Sequence, residues 1–291
     1  MLSNSVEERA VQSEARSQLA LALSCADGDR TVLSHRYMAY PLSVSPVFRL
    51  DERDSHRAYL YRMNTSPGLL ANDALRMTLD LGAGSQLYLA DQAATKVHSM
   101  PAVSSRAVVD YQIRIGERAA LEFLPEPIIL FADAALKQTT EVALHSSATF
   151  CWGEIILPGR LARGEAYQFR ECFSRVSVRS PSGALWFTDA MKLEGQENRF
   201  RESKLFAEGR VIGTLLLALP KSAEHNLVAL GRKVDALATD SLSIASSTLP
   251  QKRGLFIRAV SQTTREMQAA FKAAASAVRS LRGEAALPYS V

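Results

Sequence analysis

Seven carboxylates, Asp73, Glu122, Glu126, Asp133, Glu141, Glu154 and Glu165, sit among short apolar runs, prolines and glycines in the first two thirds of the 291-residue chain. Such side chains can do two kinds of chemistry. As oxygen donors they bind divalent ions more weakly and exchangeably than His and Cys clusters, which suits passing a metal along rather than keeping it. As a pair, Glu122 with Glu154 for example, they can act as acid and base on a glycosidic bond. Carboxylates on alternating strands are also commonly the solvated face of a sheet, which accounts for most of these. Other chemistries lack their residues. There is no GxxxxGKS/T phosphate loop, no GxGxxG running from strand into helix and no GxSxG elbow. His35, His56, His98, His145 and His225 are scattered without HxH, HxxxH or HExxH spacing, and Cys25, Cys151 and Cys172 include no CxxC pair.

The elements that position these carboxylates read as strands. Between Ala119 and Glu165, Leu121 and Phe123 alternate with Glu122, after which Pro125 and Pro127 forbid a helix. Ile128 to Phe131 restarts a strand. Leu136, Gln138, Thr140 and Val142 alternate with Lys137, Thr139 and Glu141, and Phe150, Trp152, Glu154 and Ile156 share the phase of a further strand. Pro158, Gly159 and Gly164 place Arg160 and Glu165 on a turn-rich exit.

Alternation also predicts strands at Leu19 to Leu23, paired as a hairpin with Thr31 to Leu33 through a turn around Gly28, at Ala58 to Arg62, Met77 to Leu81 and Val109 to Ile115. Gly82 and Gly84 read as a hairpin turn. Val176 to Arg179 and Ala184 to Met191 flank a Ser180 to Gly183 turn, and the apolar run Val211 to Leu219 fits a strand buried on both faces. Helical periodicity begins after Pro220, with Leu227, Leu230, Val234 and Leu237, followed by extended pieces at Leu242 to Ser246 and Gly254 to Ala259. The clearest helix spans 263–282: Thr263 and Glu266 form a capping pair, and Met267, Phe271, Ala274, Val278 and Leu281 recur every three or four residues. Its apolar stripe needs either its own sheet or a partner to lie on.

The central stretch resembles the UreD (UreH) family of urease accessory proteins. The matching residues are Leu121, Glu122, Phe123, Leu124, Pro125, Ile128 and Phe131, then Glu154, Gly159, Arg160, Ala162, Gly164 and Glu165. Upstream, Gln92 to Val97 is similar to the family's QAATKV, and Pro41, Leu42 and Val44 to its GPLxVQ. The loop Thr65 to Asp73 keeps Gly68 and Asp73 of a glycine-rich family motif but carries Pro67, Ala71 and Asn72 in place of glycines, and the family's closing PRxW appears as Pro288 and Tyr289.

The resemblance implies a mainly β fold, many strands in a helix-like or stacked arrangement with a small helical region near the C-terminus. It implies one domain over 1–291, with 17–220 mainly β and 221–284 helical or mixed. It implies no enzyme, but a scaffold that joins UreF and the GTPase UreG on apo-urease and assists nickel insertion, with no tightly bound cofactor and nickel only in transit. Asp133, Glu154 and Glu165, with Asp73 and Glu122, are expected to line or brace a nickel passage. Gly68, Thr95, Lys96, Pro125, Gly159, Arg160 and Gly164 are expected to shape the structural motif, and Met267, Phe271, Val278 and Leu281 to meet UreF.

Composition sets the remaining bounds. A 47% hydrophobic chain of this length can bury a sizeable core. The formal charge of +4 is too small to argue for nucleic acid; from Leu249 onward seven Lys or Arg against two Glu give +5, leaving −1 before it. That basic tail lacks the aromatic interleaving of a nucleic-acid binder. Glu7, Glu8 and Glu14 stand where a secretory leader would be basic and apolar, and no apolar run approaches the roughly 20 residues of a membrane span. A cytoplasmic protein without membrane or nucleic-acid partners is expected. The alternative is a cytosolic β-solenoid enzyme acting on carbohydrate through paired carboxylates, against which stands the missing sequence repeat.

Overall fold

The computed structural model describes residues 17–26, 29–51, 56–197 and 210–288; Gly28 and Tyr289 lie outside the described residues. The chain winds between two sheets. It enters the first with β1 (Leu19–Cys25) and β2 (Thr31–Met38), crosses to the second with β3 (Leu42–Val44) and β4 (Ala58–Asn64), and returns with β5 (Ala74–Leu81). β6 (Gln86–Gln92) and the short β7 (Thr95–Val97) lie in the second sheet, β8 (Ala107–Ile115) in the first, and β9 (Ala120–Phe123) with β10 (Ile128–Leu130) in the second again. β11 (Ala135–Leu144) and β12 (Thr149–Leu157) repeat the crossing, and the hairpin β13 (Glu171–Arg179) and β14 (Leu185–Leu193) completes the first sheet. β15 (Val211–Ala218), helix α1 (Leu227–Asp235), β16 (Leu242–Thr248), β17 (Gly254–Ser261) and helix α2 (Thr264–Leu281) close the chain on the second.

Corresponding strands of successive coils pair in parallel: β1, β5, β8, β11 and β13 in the first sheet, β4, β6, β9 and β12 in the second. This is the helix-like β architecture that the family resemblance implies. Its coils are unequal. The first-sheet strands begin at Ala74, Ala107, Ala135 and Glu171, steps of 33, 28 and 36 residues, so the winding leaves no fixed period in the sequence. One turn expectation is corrected by the same topology. Gly82 and Gly84 do not close a hairpin, because β5 and β6 belong to different sheets; they make a corner in which the Gly82 amide donates to the Leu23 carbonyl of the coil below. The β1–β2 and β13–β14 hairpins form as expected.

Alternation fills the space between the sheets. Leu21, Leu79, Ile113 and Val142 point inward from the first, and Leu60, Leu89, Phe123 and Trp152 from the second. A second apolar layer covers the outer face of the second sheet, where Tyr59, Tyr88, Leu215 and Ile257 meet Met267, Phe271 and Val278 of α2. β15 is buried on both faces for this reason, which explains its continuous apolar run.

α2 begins as the sequence predicts, with the Thr263 hydroxyl accepting from the Glu266 amide. Its apolar stripe lies on its own sheet, a correction to the expectation that these residues meet a partner: Met267, Phe271 and Val278 are buried, and only Leu281 of that set is exposed. The physical reason is a groove cut by two glycines. A Cβ at Gly213 on β15 would come within 2.3 Å of the Met267 sulfur, and one at Gly153 on β12 within 3.2 Å of the Phe271 ring. Each large side chain so buried contributes on the order of 1.5–3 kcal/mol gross.

Candidate functional site

Glu154 lies on β12 in phase with Phe150, Trp152 and Ile156, so it points between the sheets. There it is buried, and its Oε2 accepts from Gln138 Nε2 of β11 at 2.6 Å and from Ser174 Oγ of β13 at 2.7 Å. Burial pushes its carboxyl up to about 7, against the opposing pull of those two donors. It faces an interior cavity of about 40 Å³, roomy enough for water, that also touches Arg62, Asp91, Tyr111 and Gln138. Arg62 of β4 holds Asp91 of β6 through two bonds of 2.8 and 2.6 Å and donates to the Tyr111 hydroxyl of β8 at 2.6 Å.

The polar row continues past Glu154. Thr214 of β15 stands opposite it in register, Arg258 of β17 stands opposite Thr214, and Arg258 donates to both Thr214 and, at 2.7 Å, Asp189 of β14. Polar side chains from nine strands therefore run along the winding axis, buried from Arg62 through Glu154 to Thr214 and ending on the partly exposed Arg258 and Asp189. Fully buried polar groups are kept only when they are satisfied, and each named here has a partner.

Glu122 is elsewhere. Cys151 stands opposite it in the β9–β12 register, so Glu154, an odd number of residues further on, projects from the other face of the sheet. Glu122 projects beneath α2, where Arg279 donates to its two oxygens at 2.7 and 2.5 Å and Arg57 approaches to 3.4 Å. Arg279 also reaches Tyr59 at 3.0 Å and Asp51 at 3.3 Å, and Arg57 pairs with Glu284. The sheet thus separates Glu122 from Glu154, so these two do not face each other as an acid and base would.

The remaining expected carboxylates brace corners. Glu165 accepts from Ala132 N at 2.9 Å and from Arg160 Nε at 2.9 Å, and the Arg160 hydrogen bond holds its carboxyl below the usual range. Gly159, at φ 153°, brings the loop so close to itself that a Cβ would lie 2.2 Å from the Glu165 carbonyl oxygen, and Gly164 caps the 3-10 turn Leu161–Arg163 in the left-handed region. Arg160 stacks over Phe131 at 4.5 Å. Asp133 is exposed and accepts from Gln196 at 2.9 Å; Asp73 accepts from the Leu70 amide at 2.7 Å within its own loop. Gly68, Thr95 and Lys96 build the stacked corners beside them: the Leu69 amide donates to the Lys96 carbonyl, and Thr95 N to the Pro127 carbonyl. Pro125 lines the interior cavity.

Asp133 and Glu165 are therefore neighbours around Ala132, Glu154 occupies the interior, Glu122 the layer below α2, and Asp73 a separate turn. Sequence reasoning missed Gln138 and Ser174 as partners of Glu154, and Arg62, Asp91 and Tyr111 as a bonded group on the same cavity. One signal was available for Arg62: a charge in the inward phase of its strand, two residues from Leu60. Arg57 and Arg279 had no comparable signal, because their partners come from elements far apart in sequence. Among the described residues no three His, Cys, Asp or Glu side chains converge on a metal-sized position, and no helix is long and apolar enough to cross a membrane.

A coiled two-sheet protein with a polar row through its interior and a helix clamped to one face defines the class. The chain belongs to the UreD urease accessory protein family, whose model matches residues 15–291. It is 44% identical over 93% of its length, and 97% of the relative's, to the urease accessory protein UreD of Trichodesmium erythraeum. Against UreD of Haloarcula marismortui the figures are 30%, 84% and 80%, and against UreH of Helicobacter acinonychis 31%, 57% and 61%.

Proposed function

We propose that this chain is a non-catalytic scaffold of urease maturation, which joins UreF and the GTPase UreG on apo-urease in the cytoplasm and lets nickel travel through its interior. The observation that carries this reading is the polar row centred on Glu154. Between the guanidiniums of Arg62 and Arg258, its metal-ligating atoms are oxygens of carboxylate, hydroxyl and amide groups, a set that holds a divalent ion weakly enough to release it. A carboxylate poised near neutrality gives up its proton readily to an arriving cation, since a nearby positive charge favours the ionised form. Glu154 is the central group of that route; Asp133 and Glu165 brace one rim of the coils, while Glu122 and Asp73 act by holding α2 and a corner loop in place.

The test is co-expression with the urease genes and the other accessory genes, with nickel per urease active site as the readout. Glu154→Ala is expected to lower nickel loading several-fold while UreF and UreG still co-purify with the variant. Full loading after single replacement of each of Glu154, Asp133, Glu165, Asp73 and Glu122 would sink the passage.

A further inference from the structure

The second sheet is interrupted in its middle. β9 pairs with β6 up to Leu89↔Phe123 and with β12 up to Trp152↔Phe123, and the chain rejoins β12 only at Ile128↔Ile156, as β10. Between them runs Leu124 to Pro127, in which Pro125 and Pro127 have no amide hydrogen to give to a ladder. Ala90 to Gln92 of β6 flank this gap on one side and Gly153 to Ile155 of β12 on the other. The middle residue of each flank is a buried carboxylate that lines the interior cavity, Asp91 on one and Glu154 on the other.

A second cavity lies outside the gap. It measures about 40 Å³, room for water, and sits beneath α2 between Tyr88, Gly153 and Phe271. Pro125, Glu126 and Ile155 line both this space and the one beside Glu154, so the two meet at the gap. Glu126 is half-buried there, and its Oε2 accepts from Gln268 Nε2 of α2 at 2.9 Å. That bond occupies one carboxylate oxygen with a neutral amide and leaves the charge to be met by something else. Lys272 also lines the outer cavity, one turn further along α2.

We infer that this gap is the mouth of the interior: a divalent cation arriving beneath α2 displaces the Gln268 amide from Glu126, is held by that carboxylate, and passes Pro125 to reach Glu154. An ionic contact outweighs a single neutral amide bond at the same oxygen, so the ion itself opens the latch. The gap rests on the ion-route reading and deepens it, adding where the route opens and which side chain admits the ion.

Trp152 lines the inner cavity and reports arrival there. Trp186→Phe leaves it as the single tryptophan of the full chain, and stopped-flow quenching of its fluorescence by Ni²⁺ alone gives the entry rate. Glu126→Gln keeps the hydrogen bond but not the charge, and should slow entry about tenfold, the lower end of what a charge lining a cleft adds to an on-rate. Gln268→Ala should speed entry by freeing the carboxylate, and Lys272→Ala by removing a like charge. Mere loosening of the fold would speed entry in Glu126→Gln as well, so the opposite signs separate a gate from a structural role. In a Cys25→Ser background, Glu126→Cys and Gln268→Cys bridged by a short bis-thiosulfonate should stop entry until the bridge is reduced and the reductant removed. Unchanged or faster entry in Glu126→Gln, or undiminished entry in the bridged chain, overturns the gap as the mouth while the ion route stands. No quenching of Trp152 by Ni²⁺ in any of these chains overturns both.

Discussion

Arg279 and Glu122, 157 residues apart in sequence, share two charge-assisted hydrogen bonds of 2.7 and 2.5 Å beneath α2. This pair ties the last turn of the last helix to the middle of the second sheet, and Arg57, Asp51, Tyr59 and Glu284 complete the cluster. Removing one member of such a buried group leaves the others charged and unpaired, which is far more damaging than never having had the pair.

Glu122→Ala is therefore expected to destabilise the fold by about 3–5 kcal/mol, with Glu122→Gln milder because it keeps the shape and some of the hydrogen bonds. Urea denaturation gives the size of the loss. A local readout accompanies it: Cys151 lies buried next to Glu122 on the neighbouring strand, its thiol pushed up by burial and by that carboxylate, and it should react faster with a thiol reagent once α2 loosens. Unchanged thiol reactivity in a destabilised variant would show that the cluster does not hold the helix.

Glu154 gives the fold a pH dependence of unusual sign. Its carboxyl titrates near 7 in the folded chain and at its ordinary value of 4.5 when exposed, so between these values the native state keeps a proton that the unfolded state has lost. Stability from this group is complete below about pH 4.5 and falls as pH rises toward 7, by about 3 kcal/mol in all. Glu154→Gln should flatten that slope, and denaturation midpoints at pH 5 and pH 8 measure it. An identical slope in the wild type and the variant would place the titration elsewhere.

Gly213 is required for the space it leaves. Gly213→Val would drive a side chain into the Met267 sulfur and the Phe271 ring, with a loss of about 1–3 kcal/mol from overpacking. Met267→Ala in the same chain should recover part of the loss by opening room for the valine. Thermal melts of the two single variants and the double variant test the coupling, and strict additivity would argue against direct contact.

The strands were legible because their evidence is local. A period of two set the phase of β11, β12 and β8, the unbroken apolar run of β15 announced burial on both faces, and Thr263 with Glu266 marked the start of α2. Gly159, Arg160, Gly164 and Glu165 were legible as a unit too, since their contacts lie within one short loop. The parallel winding was not readable from alternation, which assigns a face to each residue but does not choose the neighbouring strand; that is why the Gly82 corner looked like a hairpin.

What the sequence by itself determined was a β-rich chain, the inward or outward phase of each strand, and the family to which its motifs belong. Tertiary structure alone decided which polar groups meet. Glu154 finds Gln138 and Ser174 only because the coils stack, Glu122 finds Arg279 only because α2 folds back, and the Met267 face is spent on glycine-lined space instead of a partner. Phase is a property of a few consecutive residues, whereas these contacts join segments separated by long stretches of chain, and their geometry exists only after the coils have packed.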